Sequence, residues 1–218
     1  MDRDLGRILD SMDASAWDAK YSAADLVYGA PPNQTLVEFA TTLPRGRALD
    51  LASGEGRNAL WLATRGWEVT AVDFSAVGLT KGHRIASKSP KSVQTRLTWV
   101  HADVTTVLPE PEYDLVLMLY LHLPQEQRRT VIHNAIGGLK PDGILMILGH
   151  HSSNIADGVG GPQDPEILYT PEQLASDVGG RATILRCEKR LRTTPDGTAI
   201  DSLLLAGRSG LGSGADRE

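Results

Sequence analysis

Short apolar runs and amphipathic stretches alternate along the chain, and each kind of pattern predicts a different element. The apolar runs predict five strands, at Arg47–Leu51, Glu68–Val72, Leu97–His101, Tyr113–Leu119 and Ile144–Leu148. The fourth run is apolar almost throughout, which is typical of a strand buried on both faces of a parallel sheet. This series of strands therefore predicts a buried sheet at the centre of the fold.

Helical periodicity fills the intervals between these strands. Asn33 is a suitable N-cap for a helix that ends near Leu43, and Pro124 begins a helix whose apolar residues repeat as far as Leu139. Further helices are predicted at Gly56–Thr64, Ser75–Ser87 and Thr170–Val178. The alternation of strand and helix predicts a parallel sheet with helices on both faces.

The last part of the pattern is different, because two strands follow each other directly. They lie at about 182–192 and 199–206, and the turn Pro195-Asp196-Gly197 between them is short enough to require antiparallel pairing. Before them, Lys140-Pro141-Asp142-Gly143 is predicted to be a turn. The predicted fold class is therefore α/β: a seven-stranded, mostly parallel, doubly wound sheet with a C-terminal antiparallel hairpin.

The length of 218 residues fits one main domain with a full hydrophobic core. We predict a helical lid segment at 1–32, the main domain at 33–208 and a disordered tail, rich in Gly and Ser, at 209–218. Residues 152–169 form a Gly-, Pro- and Asp-rich loop that is long for a compact domain. Because such loops are usually functional, we expect this one to be the main specificity element.

Composition and charge narrow the classes of partner. The net charge of −5 offers no basic face for nucleic acid, and the longest apolar run, Leu115–Leu123, is too short to span a bilayer. Met1–Asp13 contains no apolar block of the signal-peptide kind, so we expect a cytoplasmic protein. The single cysteine, Cys187, excludes an internal disulfide and a metal site built from cysteines. Oligomeric state is left open between monomer and dimer.

The loop after the first predicted strand carries the clearest chemistry. It reads Asp50-Leu-Ala-Ser-Gly54-Glu-Gly56-Arg-Asn58, and its glycines allow positive φ and a close approach of backbone to a ligand. The helix that follows offers free N–H groups to an anionic or electron-rich group. Asp73, just past the second strand, can accept hydrogen bonds from both hydroxyls of a ribose. The loop is therefore interpreted as the binding site of an adenosine-bearing small molecule.

Two cofactors fit this loop. Gly54-x-Gly56-x-x-Ala59 formally matches a dinucleotide fingerprint, so an NAD-dependent oxidoreductase is one alternative. Three observations favour S-adenosylmethionine instead. Asp50 lies inside the strand, where a carboxylate suits an α-ammonium group, and Asp103 follows the third strand, where it could meet the amine of adenine. The chain also lacks the Tyr-x-x-x-Lys pair of short-chain reductases.

These motifs resemble those of a known family. Asp50-x-x-x-Gly54-x-Gly56, Asp73 and Ala102-Asp103 look like the successive motifs of class I S-adenosylmethionine-dependent methyltransferases, over about 12–207. With its Trp17-Asp-x-x-Tyr21 opening, the chain is most similar to the small TehB-like group. The resemblance implies methyl transfer from S-adenosylmethionine to a small-molecule acceptor through an O, S, N or metalloid atom, with S-adenosylhomocysteine as product. A non-enzymatic sensor of the cofactor is the other alternative.

The resemblance also implies a role for each loop residue. Asp50 would reach the amino group of the cofactor through water or backbone, Asp73 would bind the ribose, and Asp103 would lie beside adenine. The alternative for both Asp73 and Asp103 is a simple helix or turn cap. The complete cofactor-binding set is Tyr21, Asp50, Ala52, Ser53, Gly54, Gly56, Asn58, Asp73, Phe74, Ser75, Ala102, Asp103, Val104, Leu119 and Tyr120.

Histidines at two strand ends are the candidates for proton transfer. His122 follows the fourth strand and His150 the fifth, and either could act as a general base for a hydroxyl or thiol acceptor. The alternative for His122 is a structural role. His151 points the other way if the strand continues, and is assigned with Trp17 and Tyr28 to the acceptor side. Adjacent histidines lack the spacing of metal ligands, so no metal is expected.

Overall fold

The computed structural model describes residues 13–208, so the predicted tail and the first part of the predicted lid segment lie outside the described residues. The strands are β1 Arg47–Leu51, β2 Glu68–Asp73, β3 Leu97–His101, β4 Tyr113–Leu119, β5 Leu139–His150, β6 Thr183–Thr194 and β7 Gly197–Gly207. The helices are α1 Ala14–Ser22, α2 Gln34–Ala40, α3 Arg57–Thr64, α4 Ala76–Ala86, α5 Lys91–Gln94, α6 Gln125–Gly137, α7 Asn154–Asp157 and α8 Pro171–Val178.

The strands belong to one mixed sheet, in the order β3-β2-β1-β4-β5-β7-β6. The predicted fold class is therefore confirmed, including the antiparallel hairpin β6-β7 at the end. Internal contacts divide the chain into a first unit that ends at Thr106 and a second unit that begins at Val107. The predicted single main domain at 33–208 stays a prediction.

In the first unit, β1 and β3 flank β2 and both run parallel to it. The core behind these strands is made by small and branched side chains, such as the fully buried Leu49, Leu62 and Ala71. Helix α4 is capped by Ser75, whose hydroxyl accepts the N–H of Gly78 at 3.0 Å. Parallel strands place the loops that follow β1 and β2 at the same edge of the sheet, where ligands bind in this class of fold.

In the second unit, β4 pairs with β5 in parallel, and β7 pairs with both β5 and β6 in antiparallel fashion. The prediction for β5 is wrong in extent, because the strand runs from Leu139 to His150. Leu139 pairs with Tyr113 and Ile144 with Leu115, so the residues predicted as a turn form a bulge inside the strand. Asp142, at φ 65°, makes the bend of this bulge.

Short helices account for the other differences from the predicted elements. Helix α5 was not predicted, and α7 lies inside the stretch 152–169 that was predicted to be loop. One helical turn is too short to show a helical period in the sequence. Among residues 13–208, no helix has both the length and the apolar character needed to cross a membrane. The predicted location and oligomeric state stay predictions.

Candidate active site

The glycine loop after β1 is a tight turn with three left-handed residues. Ala52, Gly54 and Gly56 have φ values of 59°, 56° and 71°. Glycine adopts such values freely, whereas alanine does so at a cost in free energy. The turn is held at two points: the Ser53 N–H donates to the carbonyl of Val72 at 3.0 Å, and the Gly56 N–H donates to the carbonyl of Ser53 at 2.9 Å. The loop is therefore fixed to the end of β2.

Asp73, the last residue of β2, is the main anchor of this loop. Its buried carboxylate accepts the N–H of Gly54 at 2.7 Å and the N–H of Ser75 at 2.8 Å. Burial raises the pKa of Asp73, and these backbone hydrogen bonds oppose the rise. Helix α4 is capped by Ser75 rather than by Asp73. The contact with Ser75 is a turn cap, and the contact with Gly54 in addition links Asp73 to the glycine loop, so its ribose-binding role stays a prediction.

Besides Oε1 of Glu55, which is ion-paired with Lys81, two buried polar atoms in the loop lack a hydrogen-bond partner among the described residues. They are Oδ2 of Asp50 and Oγ of Ser53. Burial raises the pKa of Asp50 to about 7, and repulsion from Asp73 adds to the rise, while Arg57 opposes it. A buried carboxylate oxygen without a partner costs free energy, so its position indicates a place for a donor group from a ligand. The α-ammonium of S-adenosylmethionine is a group of this kind.

The residues after β3 make a local turn. Asp103 is exposed, and its Oδ1 accepts both the N–H of Thr105 at 2.9 Å and the hydroxyl of Thr105 at 2.8 Å. These contacts are those of the turn-capping alternative. Val104 is buried, and the carbonyl of Phe74 lies 2.9 Å from Nε2 of His101. The adenine-binding role of Asp103 stays a prediction.

Tyr21 of α1 lies directly on the glycine loop. A Cβ atom added to Gly54 would come within 2.5 Å of the Tyr21 hydroxyl oxygen, so a side chain at Gly54 would collide with this ring. Burial, followed by the nearby Asp73, raises the pKa of Tyr21 above its ordinary value. From the same helix, Asp18 accepts the hydroxyl of Ser75 at 2.5 Å. Helix α1 therefore contacts both the loop and the start of α4.

Further contacts tie the segment after α1 to the same loop. Glu55 accepts the N–H of Val27 at 2.9 Å and forms an ion pair with Lys81. Arg57 donates to the carbonyl of Tyr28 at 2.9 Å. The Asn33 N–H also donates to Oδ1 of Asn58 in the loop. On α1, the ring of Trp17 lies 5.4 Å from the ring of Tyr21, measured between centroids. The roles of Asp18, Glu55 and Lys81 were not predicted, because charged residues at these positions carry no signal of their own.

A second cluster lies at the ends of β4 and β5, in the second unit. The ring of His150 lies 5.2 Å from the ring of Tyr120 and 5.5 Å from the ring of His122, measured between centroids. The two histidine rings are nearly parallel, at 18°. Tyr120 adopts a left-handed backbone conformation at φ 57°, which is rare for a bulky residue and is often found at functional sites. The structure therefore brings the predicted His122 and His150 together.

The contacts of His122 favour the structural alternative. Its Nε2 accepts the backbone N–H of His150 at 3.1 Å, so this atom is not available to a substrate. Burial, with a smaller effect from His150, lowers the pKa of His122 to about 3. A histidine with such a low pKa is neutral at pH 7 and a weak base. His122 therefore holds the end of β5 in place.

His150 is the better placed of the two for proton transfer. The pKa of His150 lies below its ordinary value, mainly because the side chain is buried. The nearby Asp201 opposes this decrease, and Arg192 adds to it. Nδ1 of His150 lies 3.4 Å from Oδ1 of Asp201. Asp201 is itself buried, and it accepts the Tyr120 hydroxyl at 2.9 Å and Nε of Arg192 at 2.7 Å. Asp201 and Arg192 were missed, although a polar residue inside an apolar strand was a visible signal for Asp201.

The predicted specificity loop reaches this cluster. A Cβ atom added to Gly161 would come within 2.7 Å of the His150 ring, so the loop backbone lies against that ring. Asn154 holds the loop, donating to the carbonyl of Gly160 at 2.8 Å and accepting the N–H of Ile200 at 2.7 Å. His151 is buried, and its Nδ1 accepts the N–H of Ser153 at 2.9 Å. The assignment of His151 to the acceptor has no support from these contacts.

The low pKa of His122 has a consequence for stability. The unfolded chain binds a proton at the ordinary histidine pKa of 6.5, whereas the folded chain resists it down to about 3. Stability from neutral His122 is therefore full above pH 6.5 and is lost as the pH falls through this range. We expect the melting temperature of wild type to fall more steeply between pH 6.5 and 5 than that of His122→Asn. The exposed His83→Asn is the control, and equal slopes for wild type and His122→Asn would contradict the assignment.

Comparisons with known proteins agree with these features. Residues 48–143 match the family described as a methyltransferase domain. The chain is 29% identical to thiocyanate methyltransferase 1 of Arabidopsis thaliana over 168 residues, which span 76% of this chain and 71% of that protein. Among solved structures it is similar to the glycopeptide N-methyltransferase MtfA complexed with S-adenosylmethionine, at a TM-score of 0.66, 20% identity and coverage of 84% and 89%. It is also similar to TehB from Haemophilus influenzae, at a TM-score of 0.66 and 18% identity, with coverage of 90% of this chain and 67% of that chain.

These matches, with the fold and the glycine loop, confirm the predicted class. The predicted resemblance to class I S-adenosylmethionine-dependent methyltransferases is confirmed, and residues 48–143 are the matched methyltransferase domain. The prediction of an S-adenosylmethionine-dependent enzyme is confirmed, and S-adenosylmethionine is confirmed as the cofactor. Among residues 13–208, no group of three or more His, Cys, Asp and Glu side chains is arranged to hold a metal ion.

Proposed function

We propose that the protein methylates a small molecule whose attacking atom carries a proton at neutral pH, such as a hydroxyl, a thiol or an amine. The observation that carries the proposal is His150, a partly buried histidine at the carboxyl end of β5 whose pKa lies below its ordinary value. In parallel α/β sheets, ligands bind outside the carboxyl ends of the strands. A neutral imidazole at such a place can accept the proton of an acceptor.

The cofactor is proposed to bind at the glycine loop. Asp50 offers an unpartnered buried oxygen for the α-ammonium, and Ser53 offers a second polar atom beside it. Asp73 is proposed to bind the ribose hydroxyls, because a carboxylate has about four acceptor sites and its backbone contacts with Gly54, Ser75 and Phe74 leave acceptor capacity. When bound, S-adenosylmethionine supplies a methyl group activated by a positively charged sulfur. The other predicted members of the cofactor-binding set remain part of this proposal.

His150 is proposed to accept one proton from the acceptor and to take no other part in the reaction. As the acceptor atom forms its bond to the methyl carbon and the bond from that carbon to sulfur breaks, the proton of the acceptor passes to the imidazole. S-adenosylhomocysteine and the methylated acceptor are the products. Because burial lowers its pKa below 6.5, His150 is unprotonated at pH 7 and needs no prior activation.

A second candidate needs no base. Thiocyanate and metalloid oxyanions attack as anions and lose no proton, and one relative at 29% identity is called a thiocyanate methyltransferase. For such an acceptor His150 would serve only to shape the site. The two candidates therefore differ in their dependence on His150.

Replacing His150 by glutamine separates them. For a phenol or thiol acceptor we expect kcat/KM to fall by about 10²-fold, because general-base catalysis is typically worth about 10²–10⁴-fold. For thiocyanate we expect little change. Wild-type kcat/KM should stay level at neutral pH and fall only at a pH below 6.5, as His150 becomes protonated. Transfer of a radiolabelled methyl group to a panel of acceptors measures both effects.

The control for this experiment is His83→Gln, which changes an exposed histidine on α4. It should behave like wild type with every acceptor. Equal activity of wild type and His150→Gln with all active phenols and thiols would contradict a base role. Activity with thiocyanate alone, unaffected by the substitution, would favour the second candidate.

A further inference from the structure

We propose that Asp201 is a positioning residue that fixes which nitrogen of His150 carries the proton, leaving Nε2 to receive the proton of the acceptor. This inference rests on the proposed base role of His150, and it concerns an acid on β7 that no motif of the family marks. Four observations on the second unit support it: strand register, the geometry of the pair, the partners of Asp201 and the packing around the ring.

The register of the sheet places the two residues opposite each other. His150 on β5 pairs directly with Asp201 on β7 in the antiparallel ladder. Arg192 on β6 pairs with Ala199, which makes it the diagonal neighbour of Asp201. Directly opposed residues of an antiparallel pair point to the same face, where their side chains can meet. The juxtaposition is therefore built into the backbone and does not depend on a mobile loop.

The geometry of the pair defines the proton position. Nδ1 of His150 is buried and lies 3.4 Å from Oδ1 of Asp201, within ion-pair distance, although no hydrogen bond is formed between the two atoms. A bare Nδ1 would place its lone pair beside a carboxylate oxygen, which is unfavourable. With the proton on Nδ1 the contact is attractive, and Nε2 is then the nitrogen with a free lone pair. Asp201 therefore selects the form of neutral His150 that can act as a base through Nε2.

The partners of Asp201 keep its charge in place. Arg192 donates from Nε at 2.7 Å and from Nη2 at 3.4 Å, and Tyr120 donates its hydroxyl at 2.9 Å. Burying an isolated carboxylate is costly, but a paired and hydrogen-bonded one is tolerated. The two shorter contacts are made to Oδ2, whereas Nη2 of Arg192 and Nδ1 of His150 both lie 3.4 Å from Oδ1.

The ring of His150 is held in one orientation by packing. The backbone of Gly161 lies against it on the side of the long loop, and the nearly parallel ring of His122 lies 5.5 Å away. The backbone N–H of the same residue is bound by His122. These neighbours favour the ring orientation in which Nδ1 lies toward Asp201.

The test is to read the proton position directly by NMR. In wild type with the ring nitrogens of histidine labelled, the long-range proton–nitrogen spectrum of His150 should show the proton on Nδ1 at pH 7.5. In Asp201→Asn, Arg192 and Tyr120 should retain the amide oxygen, so the NH₂ group points at Nδ1 and the proton moves to Nε2. Assignment of the signals uses His150→Gln, and His83→Gln serves as the control.

Kinetics give a second readout that a purely structural role would not move. Asp201→Asn should lower kcat for a phenol or thiol by about 10²-fold with KM little changed. In a protein that already carries His150→Gln, the same substitution should lower kcat almost no further, because both residues act through one proton transfer. Asp201→Glu, which keeps the carboxylate, should restore part of the activity. A wild-type His150 with its proton on Nε2 would overturn the proposal, even if Asp201→Asn does not fold. The NMR measurement needs no acceptor, so it tests the proton position on His150 even if the proposed base role of His150 is wrong.

Discussion

Replacing Asp73 by alanine is expected to raise the Kd for S-adenosylhomocysteine by about 10²–10⁴-fold. The carboxylate accepts one backbone N–H on each oxygen, from Gly54 and Ser75, and it is proposed to accept the two ribose hydroxyls as well. Hydrogen bonds to a charged group contribute about 1.5–3 kcal/mol each, so the loss of the two ribose contacts gives this range. Loosening of the glycine loop acts in the same direction. Isothermal calorimetry at pH 7.5 measures the effect.

The control is Asp157→Ala, which makes the same change at an exposed acid of α7. It should bind S-adenosylhomocysteine as wild type does. Circular dichroism checks that Asp73→Ala is folded, since the N–H groups of Gly54 and Ser75 lose their acceptor. A folded Asp73→Ala protein with a Kd within a factor of about three of wild type would contradict the proposed ribose contact.

The second large effect is on stability. Asp177→Ala is expected to lower the free energy of unfolding by about 3–5 kcal/mol, because it leaves Arg128 buried without its partner. Arg128 donates Nε to Oδ2 of Asp177 at 2.8 Å, and its Nη2 lies 2.7 Å from the same oxygen. Asp177 is fully buried and Arg128 is 2% exposed, so water cannot replace the lost contact. Denaturation in urea, followed by circular dichroism, measures the difference.

Two variants show whether the buried charge is the cause. Glu126→Ala removes a partner of Arg129 on the surface of α6, and it should change stability by less than about 0.5 kcal/mol. Arg128→Met combined with Asp177→Leu removes both charges and should recover most of the loss, because apolar replacement of a buried ion pair is often close to neutral. If Asp177→Ala cost no more than Glu126→Ala, the pair would not stabilise α6 against α8 as described.

Most of the fold could be predicted because its signals are local. The apolar run of β4 and the two strands around the turn at Pro195 are visible in any short window of sequence. The extent of β5 could not be predicted, because the bulge at Asp142 looks like a turn until its pairing with Tyr113 and Leu115 is known. Bulges and single helical turns depend on tertiary partners rather than on local pattern.

Some residues of the candidate site could likewise be predicted from local sequence, whereas others depend on tertiary structure. The glycines and Asp73 could be found, because backbone conformation and strand ends restrict which residues can stand there. Asp201 is visible as a polar residue inside an apolar strand, but its contact with His150, like the position of Arg192, depends on the register of β5, β6 and β7 and could not be predicted. The difference between His122 and His150 also arises from tertiary structure, since one nitrogen of His122 is taken by a backbone N–H of a neighbouring strand.

The measurement that tests the central claim most directly is calorimetric titration of the wild-type protein with S-adenosylhomocysteine, beside the same titration of Asp73→Ala. The glycine loop, with its unpartnered Asp50 oxygen, predicts saturable binding at one site in wild type and a severe loss in the variant. Absence of heat and of any thermal shift in wild type, or equal binding by both folded proteins, would contradict the claim that this loop holds the cofactor.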